Sequence, residues 1–510
     1  MILDQIRRRA LILLVLPALA LMLSGLRAPL GGSHVFRQAH VAANIDKFVE
    51  AGVSLRPATY NEDVPYAAFD FPLYQLLVAS LARVVPLEPL VLARLTSCLL
   101  FVLALLAVDR LLVGAGIRRW PRAAALACFA YAPLDLFYFQ APMVDGLAVL
   151  LALVSLAAYV RAPEARVRSG SGAALLLSAF LSTLIKSPVY LPVFVAIEWH
   201  RARTRGLRAL TGFESVALAL VAALGVLLFK LYWMLVNGSA VALSPWERRH
   251  YFGTLGERVS LASWTPVVTD LLHLTSTPVM AVFAVLGALW WVCRGRGRTA
   301  AVFTGLLVGC GVTLLVFFDR YPPHNYYQLP FVFPLAFFAA QGLQALRVRA
   351  RAARHSSRPR RWLFAGALPV VVLAAAFFSW SGFRALAGSN RAVELIRSRG
   401  AWIREHTRPD DYVVYLFEGS ADDWNPAYLY FARRNGYNLP LGELGPPELA
   451  ALSARARGRF PRVLVFASAV GARQELLDLG AELLASDPRR ALLRVDALAA
   501  APGTDASGPR

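Results

Sequence analysis

The residues able to do chemistry collect in one polar stretch. From about Ala28 to Arg83 the chain carries His34, Arg37, Gln38, His40, Asp46, Glu50, Glu62, Asp63 and Asp70. A carboxylate among them can take the proton of a reacting hydroxyl, and an arginine can grip a phosphate with two parallel bonds. Asp70 opens the segment Asp70-Phe71-Pro72-Leu73-Tyr74-Gln75, at the mouth of an expected juxtamembrane helix over Pro72–Val84. It suits a general base and equally a helix N-cap with Pro72 in the first turn. Asp46 is the second carboxylate candidate. Arg37 and Gln38 suit a phosphate contact or a loop tether. His34 and His40, six apart, fit no single helix face, so no metal site is assigned.

Three smaller groups lie beyond this stretch. Lys186-Ser187-Pro188 interrupts an apolar run, and a charge at bilayer depth costs about 2.5–3.5 kcal/mol on insertion scales, so such residues are usually functional. Asp145 follows Pro142-Met143-Val144 and suits either an N-cap or a substrate contact. Trp246–Phe252 holds Arg248 and Arg249 among aromatic rings, and Asp319–Gln328 holds Arg320, His324, Tyr326 and Tyr327. The tyrosines fit an interfacial aromatic belt, which does not explain His324 or Arg320. There is no Gly-rich phosphate loop, nucleophile elbow or Cys/His zinc spacing.

These residues need elements to hold them, and the composition says which. The 510 residues are 57% hydrophobic and 17% charged, with mean hydropathy +0.51, too apolar for a soluble domain. The apolar runs approach the length that crosses a ~30 Å bilayer core. Four cysteines, Cys98, Cys128, Cys293 and Cys310, lie in or beside those runs and imply no disulfide framework. The net charge of +21 comes with arginines in short loops, as the positive-inside rule requires, and no nucleic-acid motif accompanies it.

Tracking arginine sets the expected topology. An uncleaved first span over Ala10–Leu23 follows Arg7-Arg8-Arg9. Further spans are expected over Pro89–Val108, Ala123–Phe139, Val144–Val160, Val216–Val236, Pro278–Cys293, Ala300–Phe318, Leu329–Leu346 and Trp362–Phe383. The run Gly172–Trp199 decides the count. As one helix it would put fourteen later arginines on the outer side; as two short helices broken at Lys186–Pro188 it keeps them inside. The expectation is about eleven transmembrane helices, a large first outer loop over about 28–83, the N-terminus inside and the C-terminus outside. Residues 1–385 form the membrane domain on this reading. Residues 386–499 alternate helix and strand as a small extracytoplasmic α/β domain, and 500–510 form a loose tail. Strands are expected at Tyr412–Phe417, Arg462–Ala467 and Ala491–Val495. Helices are expected at Arg391–Glu405, Pro426–Arg434, Pro447–Arg457 and Ala472–Ala485.

With the motifs in this order, the chain resembles the GT-C class of polyprenyl-phosphate-sugar-dependent membrane glycosyltransferases. The likeness covers roughly residues 10–385 and is nearest the bacterial branch related to protein O-mannosyltransferases and lipid A aminoarabinose transferases. His34-Val35-Phe36-Arg37-Gln38-Ala39-His40-Val41-Ala42 is similar to that branch's Arg-Gln-Ala-Asp-Thr-Ala signature, with His40 where the signature has Asp. Asp70-Phe71-Pro72-Leu73-Tyr74-Gln75 is similar to its Glu-Phe-Pro-Leu-Tyr-Gln, Pro142-Met143-Val144-Asp145 to its Met-Pro-Asp, and His324-Asn325-Tyr326-Tyr327-Gln328-Leu329-Pro330 to its His-x-Tyr-Tyr-Gln-Leu-Pro. The resemblance implies transfer of one sugar, with inversion, from a polyprenyl-phosphate donor to a glycan, lipid or protein acceptor at the outer face of a bacterial inner membrane. No cofactor is firmly implied, and a divalent cation is left open. On this reading Asp70, Asp46 and His40 are the catalytic candidates. Arg37, Lys186, Arg320 and Arg248 would meet the donor phosphate, and Gln38, Tyr74, Asp145, His324, Tyr326 and Tyr327 the substrates. The rival expectation is a transporter or flippase for a lipid-linked or anionic substrate, which would also show broken helices and intramembrane charge.

Overall fold

The computed structural model describes residues 15–495 apart from 53, 62–68, 163–168, 239–244, 295–297, 354–357, 389–390, 418–424, 442–444, parts of 446–458, 469 and 479–480. Two compact units result. One comprises Met1–Pro29 with Asp70–Gly388, the other Leu30–Phe69 with Ser389–Arg510.

The first unit is helical and multi-pass. Among the described residues six helices are long and apolar enough to cross a bilayer, or seven if the bent pair Leu261–Thr275 and Pro278–Trp291 is one span. The expected count of about eleven is not confirmed by these helices. Pro89–Gly114, Phe213–Asn237, Arg298–Val316 and Leu329–Ala353 agree with expected spans to within several residues. The expected span Ala123–Phe139 breaks into Arg119–Ala130 and Pro133–Tyr138. Pro133 has no N–H to continue a ladder, and Ala132 before it is extended (φ −66°, ψ 128°). The start of the first expected span, Ala10–Leu23, lies outside the described residues up to residue 14; Val15–Ser24 is helical.

The run around Lys186 carries the break expected there. Helical bonding extends over Gly170–Arg205, but Lys186 has φ −161° and ψ 88°. Its contacts with the Asp145–Arg161 helix show that the chain reverses. In the first arm Ser182 donates to Ala148 O (2.9 Å) and Leu175 O accepts from Ser155 (3.3 Å). In the second arm Tyr190 meets Ser155 (2.9 Å) and His200 meets Tyr159 (2.6 Å). Ser155 thus touches both arms, which is only open to a hairpin whose tip is Lys186. The arms are longer than the 12 to 14 residues expected for them, since helix extends beyond 172–199 at both ends. Glycine lets neighbours close in: a Cβ at Gly225 would lie 2.2 Å from Thr183 Oγ1, and one at Gly309 2.5 Å from Pro192 O.

This packing sorts the charges of the unit. Arg347 stacks on Trp120 (4.8 Å), Thr299 donates to Ala115 O (3.0 Å), and Gly114 abuts Arg161. The turns carrying Arg118, Arg119, Arg122, Arg161 and Arg347 therefore share one end of the bundle. The hairpin tip lies at the other.

The second unit contains a mixed five-stranded sheet in the order β2-β1-β3-β5-β4. The strands are β1 Tyr412–Phe417, β2 Gly436–Pro440, β3 Val463–Ala467, β4 Glu482–Asp487 and β5 Arg490–Arg494. β1 runs parallel to β2 and β3, and β5 is antiparallel to β3 and β4. The helices are Arg391–His406, Ala427–Ala432 and Val470–Asp478. Two expectations are corrected. The helix expected over Ala472–Ala485 stops at Asp478, and Glu482–Asp487 is a strand, because a two-residue turn lets it pair with β5. β2 was not expected at all. The helix expected at Pro447–Arg457 lies largely outside the described residues.

The unit also includes a segment that composition assigns to the membrane domain. Residues 35–51, read as loop, form the helix Val35–Ala51. Lys47 donates to Asn435 Oδ1 (2.8 Å), Gly436 N donates to Tyr60 O (2.8 Å), and Asn61 forms a parallel bridge with Gly436. Backbone and charge thus join residues 30–69 to 389–510, so the linear division at residue 385 does not describe the compact units.

Candidate functional site

The hairpin tip builds a polar cluster from residues distant in sequence. A proline two residues on and a non-helical Lys186 free the ammonium to turn inward, where it meets Asp145, the first residue of the Asp145–Arg161 helix, through Oδ1. The side chains of Lys186 and Asp145 are 5% and 0% exposed. Asp145 caps nothing by its side chain, so the expected N-cap role is not observed. Its Oδ2 has no hydrogen-bond partner among the described residues.

Aromatic faces close the cluster. Lys186 Nζ lies 4.2 Å from the Tyr326 ring centroid and 4.5 Å from that of Tyr327, where the negative face of each ring attracts a desolvated cation. His324 stacks on Tyr326 (5.3 Å between centroids). The segment is held from two sides: Tyr138 donates to Asn325 Oδ1 (2.5 Å), and Thr275 donates to Gln328 Oε1 (2.5 Å) while Gln328 reaches Val267 O (3.3 Å). The structure therefore brings together Lys186, Asp145, His324, Tyr326 and Tyr327.

Asp70 is in the same unit and buried. Its neighbour Phe71 meets Tyr232 edge-on at 5.0 Å, and Tyr232 lies within electrostatic range of the Asp70 carboxylate. The helix after it begins at Leu73 with Pro72 as cap residue and no side-chain capping bond, so Asp70 is not an N-cap. Arg320 stacks on Tyr251 (4.1 Å), and Arg248 is exposed on the Pro245–Phe252 helix.

Other candidates have structural positions. Tyr74, expected at the substrate, is fully buried and donates to Ala93 O (2.7 Å) beside Ser97 Oγ (2.8 Å). Its hydroxyl is consumed in packing. Gln38 binds Gly31 O and Ser33 O (2.9 Å each) and so tethers its own loop. Arg37, His40 and Asp46 all belong to the second unit. Arg37 lies over Phe69 (5.2 Å) and His40 meets the same ring (4.6 Å). Asp46 is clasped by Arg433, with Tyr60 at 3.4 Å. Burial pushes the Asp46 carboxyl up to about 6 against the opposing pull of Arg433. Its partners make it a tie within its unit, not an open base.

Sequence reasoning missed Tyr138, Asn325, Arg433 and Asp135. The last is fully buried, and neither carboxyl oxygen has a hydrogen-bond partner among the described residues. Its signal was available: an aspartate inside Pro133-Leu134-Asp135-Leu136-Phe137 is an ionisable residue in an apolar run. Among the described residues no three His, Cys, Asp or Glu side chains come together to hold a metal ion.

Three solved structures are similar over most of the chain. The lipid A aminoarabinose transferase ArnT from Cupriavidus metallidurans, bound to undecaprenyl phosphate, matches at 15% identity and TM-score 0.60, covering 96% of this chain and 99% of that one. The arabinofuranosyltransferase AftD from Mycobacteria matches at 16% identity and TM-score 0.55, over 96% of this chain and 40% of AftD. An Archaeoglobus fulgidus oligosaccharyltransferase matches at 12% identity and TM-score 0.51, over 89% and 67%. No protein-family model matches the chain, and no curated protein does. All three similar structures are GT-C glycosyltransferases, and the chain has the fold of that class.

Proposed function

We propose that the chain is a membrane glycosyltransferase that moves one sugar from a polyprenyl-phosphate donor to a glycan, lipid or protein acceptor. The observation that carries this reading is the buried Lys186–Asp145 pair at the hairpin tip, walled by Tyr326 and Tyr327. A donor of this kind brings a phosphate leaving group on an apolar tail. It needs a cation close to lipid depth, and Lys186 is that cation. The likeness to a structure holding undecaprenyl phosphate supports the same donor class. The arginine-bearing turns share the opposite end of the bundle, so the positive-inside rule puts the cluster at the outer face, consistent with an inner-membrane enzyme.

The roles divide by charge. The acceptor oxygen bonds to the anomeric carbon as the carbon–oxygen bond to phosphate breaks, and Asp70 takes the hydroxyl proton. Lys186 trades part of its interaction with Asp145 for the phosphate, whose negative charge grows as it leaves. Tyr326 and Tyr327 keep the ammonium desolvated and in place. His324 and Tyr326 offer a flat surface for a sugar. Arg320 of the same unit is the alternative phosphate partner.

The test uses purified full-length protein. Asp70→Asn should lower turnover by about 10²–10⁴-fold with donor affinity largely retained. Lys186→Met should weaken donor binding itself. Near wild-type turnover in Asp70→Asn would move the base elsewhere, and unchanged donor affinity in Lys186→Met would pass the phosphate role to Arg320. A glycan and glycolipid profile of a deletion strain identifies sugar and acceptor.

A further inference from the structure

A second feature lies at the far end of the same unit and is independent of the proposed chemistry. The helices Pro278–Arg294 and Leu329–Ala353 touch backbone to backbone where glycines face each other. A Cβ on Gly287 would fall 1.8 Å from Phe338 O, and one on Gly342 2.1 Å from Phe283 O. Beyond this crossing a groove opens, lined by Phe283, Leu286, Leu289, Trp290, Ala345 and Leu346, with a volume of about 440 Å³. Arg349 also lines it and is the charged residue among the described lining residues. It stands seven residues past Gly342, about 10 Å along the axis.

Position identifies the occupant. From Leu329, next to the Tyr326–Tyr327 cluster, to Arg349 is twenty residues, about 30 Å of helix, which is one hydrocarbon thickness. Arg347, one half-turn before, stacks on Trp120 at the arginine-bearing end. Arg349 therefore sits at headgroup level on the basic side, beside the interfacial Trp290. The flank of the groove presents Val282, Val285 and Leu289, each about 60% exposed, to the surrounding lipid. The walls are apolar, the mouth faces acyl chains, and Arg349 supplies a fixed positive charge at the end.

We propose that this groove holds one acyl chain of an anionic glycerophospholipid, with Arg349 on its phosphate. The apolar walls take the chain, and the guanidinium favours a headgroup with no ammonium of its own. The lipid wedges the two helices where they part beyond the glycine crossing.

The experiment is native mass spectrometry of the full chain in mild detergent, titrated separately with dioleoyl phosphatidylglycerol, dioleoyl phosphatidylcholine and undecaprenyl phosphate. The wild type should retain one phosphatidylglycerol per chain at least about fivefold more tightly than phosphatidylcholine, the factor expected of one basic residue near the membrane surface. Arg349→Gln, at an exposed position, should fold normally and lose that preference. Ala345→Phe, which fills the groove and keeps the charge, should lose both lipids. Equal retention of the two phospholipids by the wild type would overturn the proposal, as would retention unchanged in Arg349→Gln. Displacement of bound phosphatidylglycerol by undecaprenyl phosphate at matched concentration would also overturn it, by giving the groove to an isoprenoid chain.

Discussion

In each unit of the molecule an acid–base pair joins residues far apart in sequence, Lys186–Asp145 in one and Arg433–Asp46 in the other, and these two pairs differ in what surrounds them. Lys186 and Asp145 are 5% and 0% exposed, walled by two tyrosine rings among apolar helices. Arg433 and Asp46 are 34% and 10% exposed, beside Tyr60, Lys47 and Asn435. The first pair sits where neither charge could be solvated alone. Evolutionary economy would replace it with two apolar residues if stability were its purpose, because buried pairs seldom repay their desolvation. The second pair keeps only its guanidinium partly in water and can act as a clasp between the Val35–Ala51 helix and the turn before β2. Similar chemistry thus supports different readings, a held charge in one unit and a tie in the other.

The largest expected effect breaks the first pair. Lys186→Met leaves Asp145 buried beside no cation and should cost about 3–5 kcal/mol, seen as a lower melting temperature of the full chain. Adding Asp145→Leu should recover most of that stability without recovering donor binding. If Lys186→Met alone melts like the wild type, the pair is not ionic and the contrast with Asp46–Arg433 fails. Next in size is the aromatic wall. Tyr326→Leu removes one cation–π face and should cost about 1–2 kcal/mol of the Lys186 interaction, read by a double-mutant cycle with Lys186→Met.

The clasp should respond more weakly. Arg433 lies in the left-handed region (φ 54°), which costs a non-glycine residue about 1–2 kcal/mol. Arg433→Gly relieves that strain while removing the ion pair, and Arg433→Ala removes the pair only. Hydrogen exchange across 433–436 should therefore show Arg433→Ala the less protected of the two. The clasp also carries a pH slope. Burial raises Asp46 from 3.8 to about 6, so the folded chain takes up this proton at higher pH than the unfolded chain. The resulting stabilisation is full below about 4 and is lost as pH rises through about 6. Exchange protection at 44–47 should increase on acidification through that window and be flat in Asp46→Asn. A wild-type slope of opposite sign would show that Arg433 outweighs burial.

What the sequence by itself determined is what local pattern can carry. Apolar runs of bilayer length mark the helices, and Lys186-Ser187-Pro188 marks the hairpin tip, since a charge and a proline together cannot continue a buried helix. Short continuous apolar runs mark β1, β3 and β5. The tertiary structure decided the rest. The pairing of Lys186 with Asp145 spans 41 residues, and no local signal selects one aspartate over Asp135. Residues 35–51 look like a loop because Arg37, Gln38, His40, Asn44 and Asp46 are polar, yet all are buried in a helix that starts at a left-handed His34 with no capping bond. β2 and β4 are strands because neighbours supply their hydrogen bonds: β1 for Gly436–Pro440, and β5 across a two-residue turn for Glu482–Asp487. Helix and break are written in short-range sterics and hydropathy. Partners are chosen by burial and charge compensation between segments that meet only once the chain has folded.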